Sequence, residues 1–305
     1  MRTPCVTISL RGPYSVDRLD RLLRAIAPLN AMTEPTRVAI DLSGLAHIDA
    51  SSLAIFVATV YDVTMRGLLA EGSVYRPPKN FLVKRWLERM DVVRLLVRPV
   101  PRENVTRRSD QAFRPCQVFE KSEDLKWTAD RLTGALTEAC ETDQPMRFAT
   151  WFALNEIAEN VIEHAESPMG AVALAQVSPK RREFTVSIAD RGIGIRVSLR
   201  RNAAYADIPT DLEALGVAQQ PGVTSKLGTR GGLGLFITLA VLKATGGSLF
   251  LRSGSAALET GNITRGVSDL VPMTGTLVAL RFRTDRPFGL DVVLDALGIT
   301  GRSTR

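Results

Sequence analysis

The 305-residue sequence predicts an α/β protein with two halves, each built of helices packed on a sheet. Apolar segments typical of strands alternate with amphipathic helical segments along both halves. A polar segment at residues 98–117, which contains three prolines, separates the halves and predicts a linker or domain boundary. Hydrophobic residues make up 45% of the chain, which is enough for a sizeable core.

The first half begins with a predicted strand at residues 6–10 (VTISL). A helix then starts at Ser15, with its apolar residues on one face. A second strand is predicted at residues 37–42, and the small polar residues that follow, around His47, predict a loop. An apolar helix is expected over residues 53–65 and an amphipathic helix over residues 81–90.

The second half begins with predicted helices over residues 125–139 and from about residue 148. EFTVSIAD, at residues 183–190, alternates as a strand does. Residues 202–230 contain few periodic residues and predict a loop-rich stretch. A glycine turn then leads into a helix that stops at Gly246–Gly247, and two strands are expected at residues 248–253 and 275–282.

Charge, cysteine content and hydropathy narrow the function classes. The net charge is +7, but basic residues are spread out and no nucleic-acid-binding signature is present, so nucleic acid is not an expected partner. The longest apolar run is too short to span a bilayer and no signal-peptide block is present, so a cytoplasmic protein without membrane contact is expected. Three distant cysteines favour reduced thiols, and two histidines exclude a histidine-rich metal site.

The segment LNEIAENVIEHA, residues 154–165, combines an apolar helix face with an unusual polar face. Glu156, Asn160 and His164 are spaced by four and therefore lie on one stripe of the helix. Asparagine is a poor mid-helix residue because its amide competes for backbone hydrogen bonds. A Glu and an Asn one turn apart can hold a hard metal ion and orient a nucleophile. Alternatively, His164 only caps or packs at the helix end.

Two glycine motifs follow in the sequence. DRGIGI places Asp190 at a strand end, where a carboxylate can accept a hydrogen bond from the exocyclic amine of a base. GTRGGLG, residues 228–234, precedes a helix whose N-terminal N–H groups can bind phosphates. The spacing matches neither the dinucleotide-binding fingerprint nor a P-loop. Each motif alone is weak, but the three elements in this order are more specific.

Together, ExxxNxxxH, DxGxG and RGGLGL resemble the N, G1 and G2 boxes of the GHKL superfamily of ATPases, which includes gyrase, heat-shock chaperones, mismatch-repair proteins and histidine kinases. The first motif is most similar to that of the bacterial anti-sigma-factor serine kinases. The resemblance covers about residues 118–283. It implies a Bergerat-fold α/β sandwich that binds ATP and Mg²⁺ under a flexible lid.

This resemblance implies a role for each matching residue. Asn160 would bind Mg²⁺, Glu156 would be the catalytic base, and Asp190 would bind the adenine amino group. The other implied nucleotide-binding residues are Gly192, Gly194, Thr224, Ser225, Lys226, Arg230, Gly231, Gly232, Gly234 and Thr276. Lys226 and Arg230 could instead be plain surface charges, and Arg191 is expected to be solvated.

DLSGLAHIDASSLAIF, residues 41–56, resembles the STAS signature of anti-sigma-factor antagonists, in which a serine is phosphorylated by the partner kinase. Ser51 falls on that phosphoacceptor position. Alternatively, Ser51, Ser52 or Asp49 only caps the following helix. The resulting expectation is an STAS-like α/β domain with linker (1–110), followed by a GHKL Bergerat-fold α/β sandwich (111–287) and a C-terminal tail (288–305).

The expected function is that of an ATP–Mg²⁺-dependent signalling regulator. The leading hypothesis is serine/threonine phosphotransfer onto an STAS-type partner or onto Ser51. The alternatives are a nucleotide-gated ATPase switch and a non-catalytic ATP-binding interaction module. A protein partner would dock through the STAS-like domain or the lid, and a homodimer is left open.

Overall fold

The computed structural model describes residues 5–97, 113–139, 144–225, 232–286 and 289–298. The fold is mixed α/β, with a parallel three-stranded sheet in the first half and an antiparallel seven-stranded sheet in the second. This confirms the predicted α/β class. No helix in these ranges is long and apolar enough to cross a bilayer.

The small sheet has the order β1-β2-β3. Its strands and the helices of the first half are β1 (Cys5–Tyr14), α1 (Leu19–Asn30), β2 (Arg37–Ile48), α2 (Ala50–Met65), β3 (Val74–Arg76), α3 (Phe81–Arg89) and α4 (Val92–Val97). The loop predicted around His47 is wrong, because β2 pairs with β1 as far as Ile48. Leu45 and Ile48 are buried, which holds this polar end of the strand in the sheet.

The large sheet has the order β4-β5-β6-β10-β7-β8-β9. Its strands are β4 (Phe113–Phe119), β5 (Ala171–Ser178), β6 (Glu183–Asp190), β7 (Ser248–Gly254), β8 (Ala256–Thr260), β9 (Thr264–Val267) and β10 (Met273–Arg283). The predicted linker is wrong at its end, because β4 pairs with β5 there and Cys116 and Phe119 are buried. Residues 98–112 lie outside the described part.

The helices of the second half are α5 (Glu123–Ala139), α6 (Gln144–Asn160), α7 (Ile195–Leu199), α8 (Asp211–Val217), α9 (Gly234–Thr245) and α10 (Leu290–Ala296). The main helix layer, with α5, α6, α9 and α10, shares one core with the inner face of the large sheet, formed on β6 by Phe184, Val186 and Ile188. The predicted tail therefore includes a helix that belongs to this layer. Residues 202–230, predicted to be loop-rich, include α8.

The opposite, outer face of the large sheet is covered by the first half. Val172, Leu174, Ala189 and Leu277 of this face share a core with β1, β2, α1 and α2. Helix α2 contacts β5, β6 and β10, and nearly all of its residues are buried. A helix that is apolar on all sides is one that is packed on all sides. Helix α2 therefore joins the first half to the outer face of the large sheet in one core, separate from the core on the inner face.

Candidate functional site

A cavity of about 420 Å³ opens on the inner face of the large sheet, between α6, α7 and the start of α9. This volume lies in the range of small-molecule sites. The cavity is lined by nine of the predicted site residues: Glu156, Asn160, Asp190, Gly194, Thr224, Ser225, Gly232, Gly234 and Thr276. The structure thus brings the three sequence motifs to one place.

Helix α6 supplies one wall of the cavity. Leu154, Ile157 and Ala158 of this helix are buried in the core, which turns the opposite stripe towards the cavity. After Asn160 the helix widens into a π-helical turn, Val161–Ala165. Such turns are often found at functional sites. Apolar periodicity therefore positions Glu156 and Asn160, as the sequence predicts.

Glu156 is half-buried beside the N-terminus of α9. Burial raises the pKa of its carboxyl group, and the neighbouring charges of Glu159 and Glu163 raise it further. A Cβ at Gly234 would lie 1.9 Å from Glu156 Oε2, so any larger residue there would force the Glu156 side chain to move. A carboxylate with a raised pKa is suited to accept a proton as a general base.

Asp190 ends β6 and is buried at the base of the cavity. Its Oδ1 accepts hydrogen bonds from the backbone N–H of Gly192 at 2.8 Å and of Thr276 at 3.2 Å. Its Oδ2 makes no hydrogen bond with any described residue and remains an acceptor for a ligand. Burial raises the pKa of Asp190 to about 6, while the two N–H donors and Arg191 act in the opposite direction.

Gly192 shapes the loop after β6 rather than lining the cavity. A Cβ at this position would lie 1.8 Å from the carbonyl oxygen of Ala165. The next residue, Ile193, donates its backbone N–H to that same oxygen at 2.8 Å. The loop is thereby fastened to the end of the π-helical turn, which fixes Asp190 relative to Asn160.

Ser253, near the end of β7, supports the site without lining the cavity, and the sequence interpretation missed it. Its Oγ accepts a hydrogen bond from Ile195 N at 3.0 Å and donates one to Gly275 O at 3.1 Å. Ser253 Oγ also lies 3.3 Å from Thr276 Oγ1. The sequence signal for Ser253 was the alternation of side chains in β7, in which Leu249 and Leu251 point inwards and a polar residue takes the next inward position.

Val223, Thr224, Ser225 and Gly232, on either side of residues 226–231, which lie outside the described part, also line the cavity. The two sides meet where Gly222 N donates to Gly232 O at 3.0 Å. Ser225 Oγ lies 2.9 Å from His164 Nδ1, and Asn202 Nδ2 donates to Thr224 O at 2.9 Å. His164 therefore contacts Ser225 as well as belonging to the helix end. The predicted Lys226, Arg230 and Gly231 lie outside the described residues.

Ser51 is not at the cavity. It is 5% exposed, and its Oγ lies 2.9 Å from Ser187 Oγ on the outer face of the large sheet. The sheet lies between Ser51 and the cavity. The helix cap is Asp49, whose Oδ1 accepts from Ser52 N at 2.8 Å. The expectation that Arg191 is solvated is wrong, since it is 8% exposed and contacts the first half.

The donor set fits a nucleotide-bound Mg²⁺ better than an ion held by protein alone. Within the described residues, no group of three or more His, Cys, Asp or Glu side chains could hold a metal ion. The amide of Asn160 offers one oxygen ligand at the cavity. Mg²⁺ is commonly bound by one or two protein oxygens together with substrate phosphates and water. The cavity volume and the available Oδ2 of Asp190 leave room and an acceptor for a small polar ligand.

Neither a comparison with protein-family models nor a comparison with curated proteins finds a match for this chain. The site geometry and the quoted motifs therefore carry the functional interpretation.

Proposed function

We propose that the second half is a GHKL-type, Bergerat-fold ATP-binding module and that the first half is an STAS-like module. The chain would be an ATP–Mg²⁺-dependent signalling regulator that phosphorylates a serine or threonine. The observation that carries this proposal is the convergence of Glu156, Asn160 and Asp190 on one cavity at the N-terminus of α9.

At the base of the cavity, Asp190 would bind the adenine ring. Its Oδ1 is held by two backbone N–H groups, so Oδ2 is the oxygen available to the exocyclic amine. Ser253 supports this end by fixing Ile195 and Gly275 on either side. The phosphates would then extend towards the N-terminus of α9, where the helix dipole favours negative charge.

At the phosphate end, Asn160 would hold Mg²⁺, which would neutralise phosphate charge. Glu156 would orient the attacking hydroxyl group and accept its proton. As the hydroxyl oxygen bonds to the γ-phosphorus, the bond to the β–γ bridging oxygen breaks and ADP leaves. The raised pKa of Glu156 favours this proton transfer.

The burial of Ser51 bears on the substrate. Its hydroxyl group is paired with that of Ser187 on the outer face of the large sheet, whereas the cavity lies on the inner face. Phosphotransfer would therefore go to the hydroxyl of a separate STAS-type partner, or to Ser51 only after the first half leaves the sheet. The same burial favours a second candidate, an ATPase switch in which nucleotide binding changes an interface without phosphotransfer.

Incubation with γ-labelled ATP and Mg²⁺ separates these functions. Label on an added STAS-type protein supports the kinase, and label that is lost in Ser51→Ala supports self-phosphorylation. Phosphate release without labelled protein supports the ATPase switch. Nucleotide binding without labelled protein and without phosphate release supports a non-catalytic binding module. An absence of ATP binding would contradict all three.

A further inference from the structure

Two buried arginines on the outer face of the large sheet reach into the first half. Arg252 is 1% exposed, and its Nη2 donates to Asp20 Oδ1 of α1 at 3.2 Å. The other oxygen of Asp20 accepts from Val271 N at 3.0 Å. Arg191 donates from Nη2 to Asn30 Oδ1, at the end of α1, at 2.7 Å. Helix α1 is thus tied to the large sheet at both ends.

Helix α2 adds a third connection. Asp62 Oδ2 lies 3.9 Å from Arg191 Nε, and both side chains are almost fully buried. At the other end of α2, Ser51 pairs with Ser187 of β6. Burial lowers the pKa of Arg191, and the charge of Asp62 opposes this effect. Asp20 and Asp62 of the first half therefore stabilise the buried positive charges of Arg252 and Arg191 in the second half.

Arg191 follows Asp190, which lines the cavity, and Arg252 precedes Ser253, which holds Ile195 and Gly275 beside the cavity. Successive side chains of a strand point to opposite faces of the sheet. In β7, Ser253 therefore supports the cavity while Arg252 contacts Asp20. Directly after β6, Arg191 contacts Asn30 of the first half, whereas Asp190 lines the cavity. Arg191 Nη1 also donates to Thr274 O at 3.4 Å, next to Gly275, which Ser253 holds.

These strand ends cannot adjust on one face without moving residues on the other. Arg252 also donates to the carbonyl oxygens of Gly254, Ala256 and Val271, but Asp20 is the carboxylate that it contacts. Removing one partner of a buried charge is costly. Because each arginine is adjacent in the chain to Asp190 or Ser253, any shift of its backbone would also displace that neighbour. The docked first half therefore holds the adenine end of the cavity in its binding geometry.

We propose that Arg191 and Arg252 are positioning residues of the nucleotide site, through which docking of the first half on the outer face raises nucleotide affinity. This inference rests on the proposed ATP-binding function of the same cavity. Coupling between two sites is reciprocal, so nucleotide also strengthens the docking of the first half.

The test measures ATP–Mg²⁺ affinity in the full chain, by calorimetry, for wild type and three variants. Asp20→Asn removes the negative charge beside Arg252, and Asn30→Ala removes the side-chain acceptor of Arg191 Nη2, while neither residue lines the cavity. Asp17→Asn is the matched control, because Asp17 lies on the exposed turn before α1. We expect Kd to rise at least about fivefold in Asp20→Asn and Asn30→Ala, in the usual range of coupling, and not in Asp17→Asn. Thermal unfolding of each variant shows that it is folded.

Hydrogen exchange of the wild-type protein supplies a readout that needs no variant. ATP should slow exchange of the amides of α1, although no residue of this helix lines the cavity. An unchanged Kd in both variants, or unchanged exchange in α1 when ATP is bound, would overturn the coupling. Failure of the wild type to bind ATP would instead refute the proposed function, and the coupling with it.

Discussion

Asp190→Asn is expected to stabilise the nucleotide-free protein while weakening nucleotide binding. Burial raises the pKa of this carboxyl from 3.8 to about 6. A raised pKa means that folding disfavours the ionised form, by roughly 3 kcal/mol at neutral pH for a change of this size. This loss of folding stability is fully present above pH 6 and disappears as the pH falls towards 3.8. Asparagine removes the ionised form, so unfolding should cost about 1 to 3 kcal/mol more at pH 7.

Nucleotide affinity should change in the opposite direction. Because Oδ1 already accepts two N–H groups, a proton added to Asp190 goes to Oδ2 and removes the acceptor that the adenine amine needs. A group with a pKa of about 6 is roughly nine-tenths ionised at pH 7 and roughly one-tenth ionised at pH 5. The Kd for ADP should therefore rise about tenfold over this interval.

Calorimetric titration of ADP into wild type and Asp190→Asn between pH 5 and pH 8 measures this effect. The ratio of the two Kd values cancels the titration of the nucleotide phosphates. Thermal unfolding of both nucleotide-free proteins at pH 7 gives the stability difference. A ratio that does not change with pH, or an Asp190→Asn protein that binds ADP as wild type does, would refute the assignment of Asp190 to the adenine.

Three further substitutions test other parts of the structure. Gly234→Ala should lower turnover, because its Cβ would lie 1.9 Å from Glu156 Oε2 and displace that carboxylate, whereas Gly216→Ala meets nothing within 4 Å and serves as a control. Glu156→Gln should lower kcat by about 10²- to 10⁴-fold with little change in ATP affinity, as measured by steady-state kinetics. Ser51→Asp should lower the midpoint of thermal unfolding strongly, because it buries a charge against Ser187, and Ser51→Ala should cost only about 1 kcal/mol.

Each of these results has an outcome that would contradict it. Equal turnover in Gly234→Ala and Gly216→Ala would show that Glu156 does not need its observed position. A wild-type kcat in Glu156→Gln would show that Glu156 is not the catalytic base. A Ser51→Asp protein as stable as wild type would show that α2 is not packed on the outer face in solution.

Much of the second-half fold could be predicted because its signals are local. Strand β6 begins and ends where alternation predicts it, and α9 ends at Gly246, which adopts the left-handed conformation typical of a helix C-cap. The missed elements had weak local signals. The end of β2 is polar and held by pairing with β1, while β4 carries a proline and is held by pairing with β5. Pairing between distant segments overrode local composition there.

Nine of the predicted site residues converge on the cavity because three motifs each carry a local physical constraint, whereas Ser51 lies on the other side of the sheet. The contacts of Ser253 and Arg191 could not be predicted in this way, because their partners lie far away in the sequence. Helix α2 is apolar on all sides, which indicates that it packs against more than the small sheet. The sequence does not indicate that the second packing surface is the outer face of the large sheet.

The most direct test of the nucleotide site is a crystal structure of the full chain with Mg²⁺ and a non-hydrolysable ATP analogue. We expect the adenine amine at Asp190 Oδ2, Mg²⁺ bound to the side-chain oxygen of Asn160, and the γ-phosphate within reach of Glu156. An analogue bound elsewhere, or an adenine that makes no contact with Asp190, would contradict the proposed site.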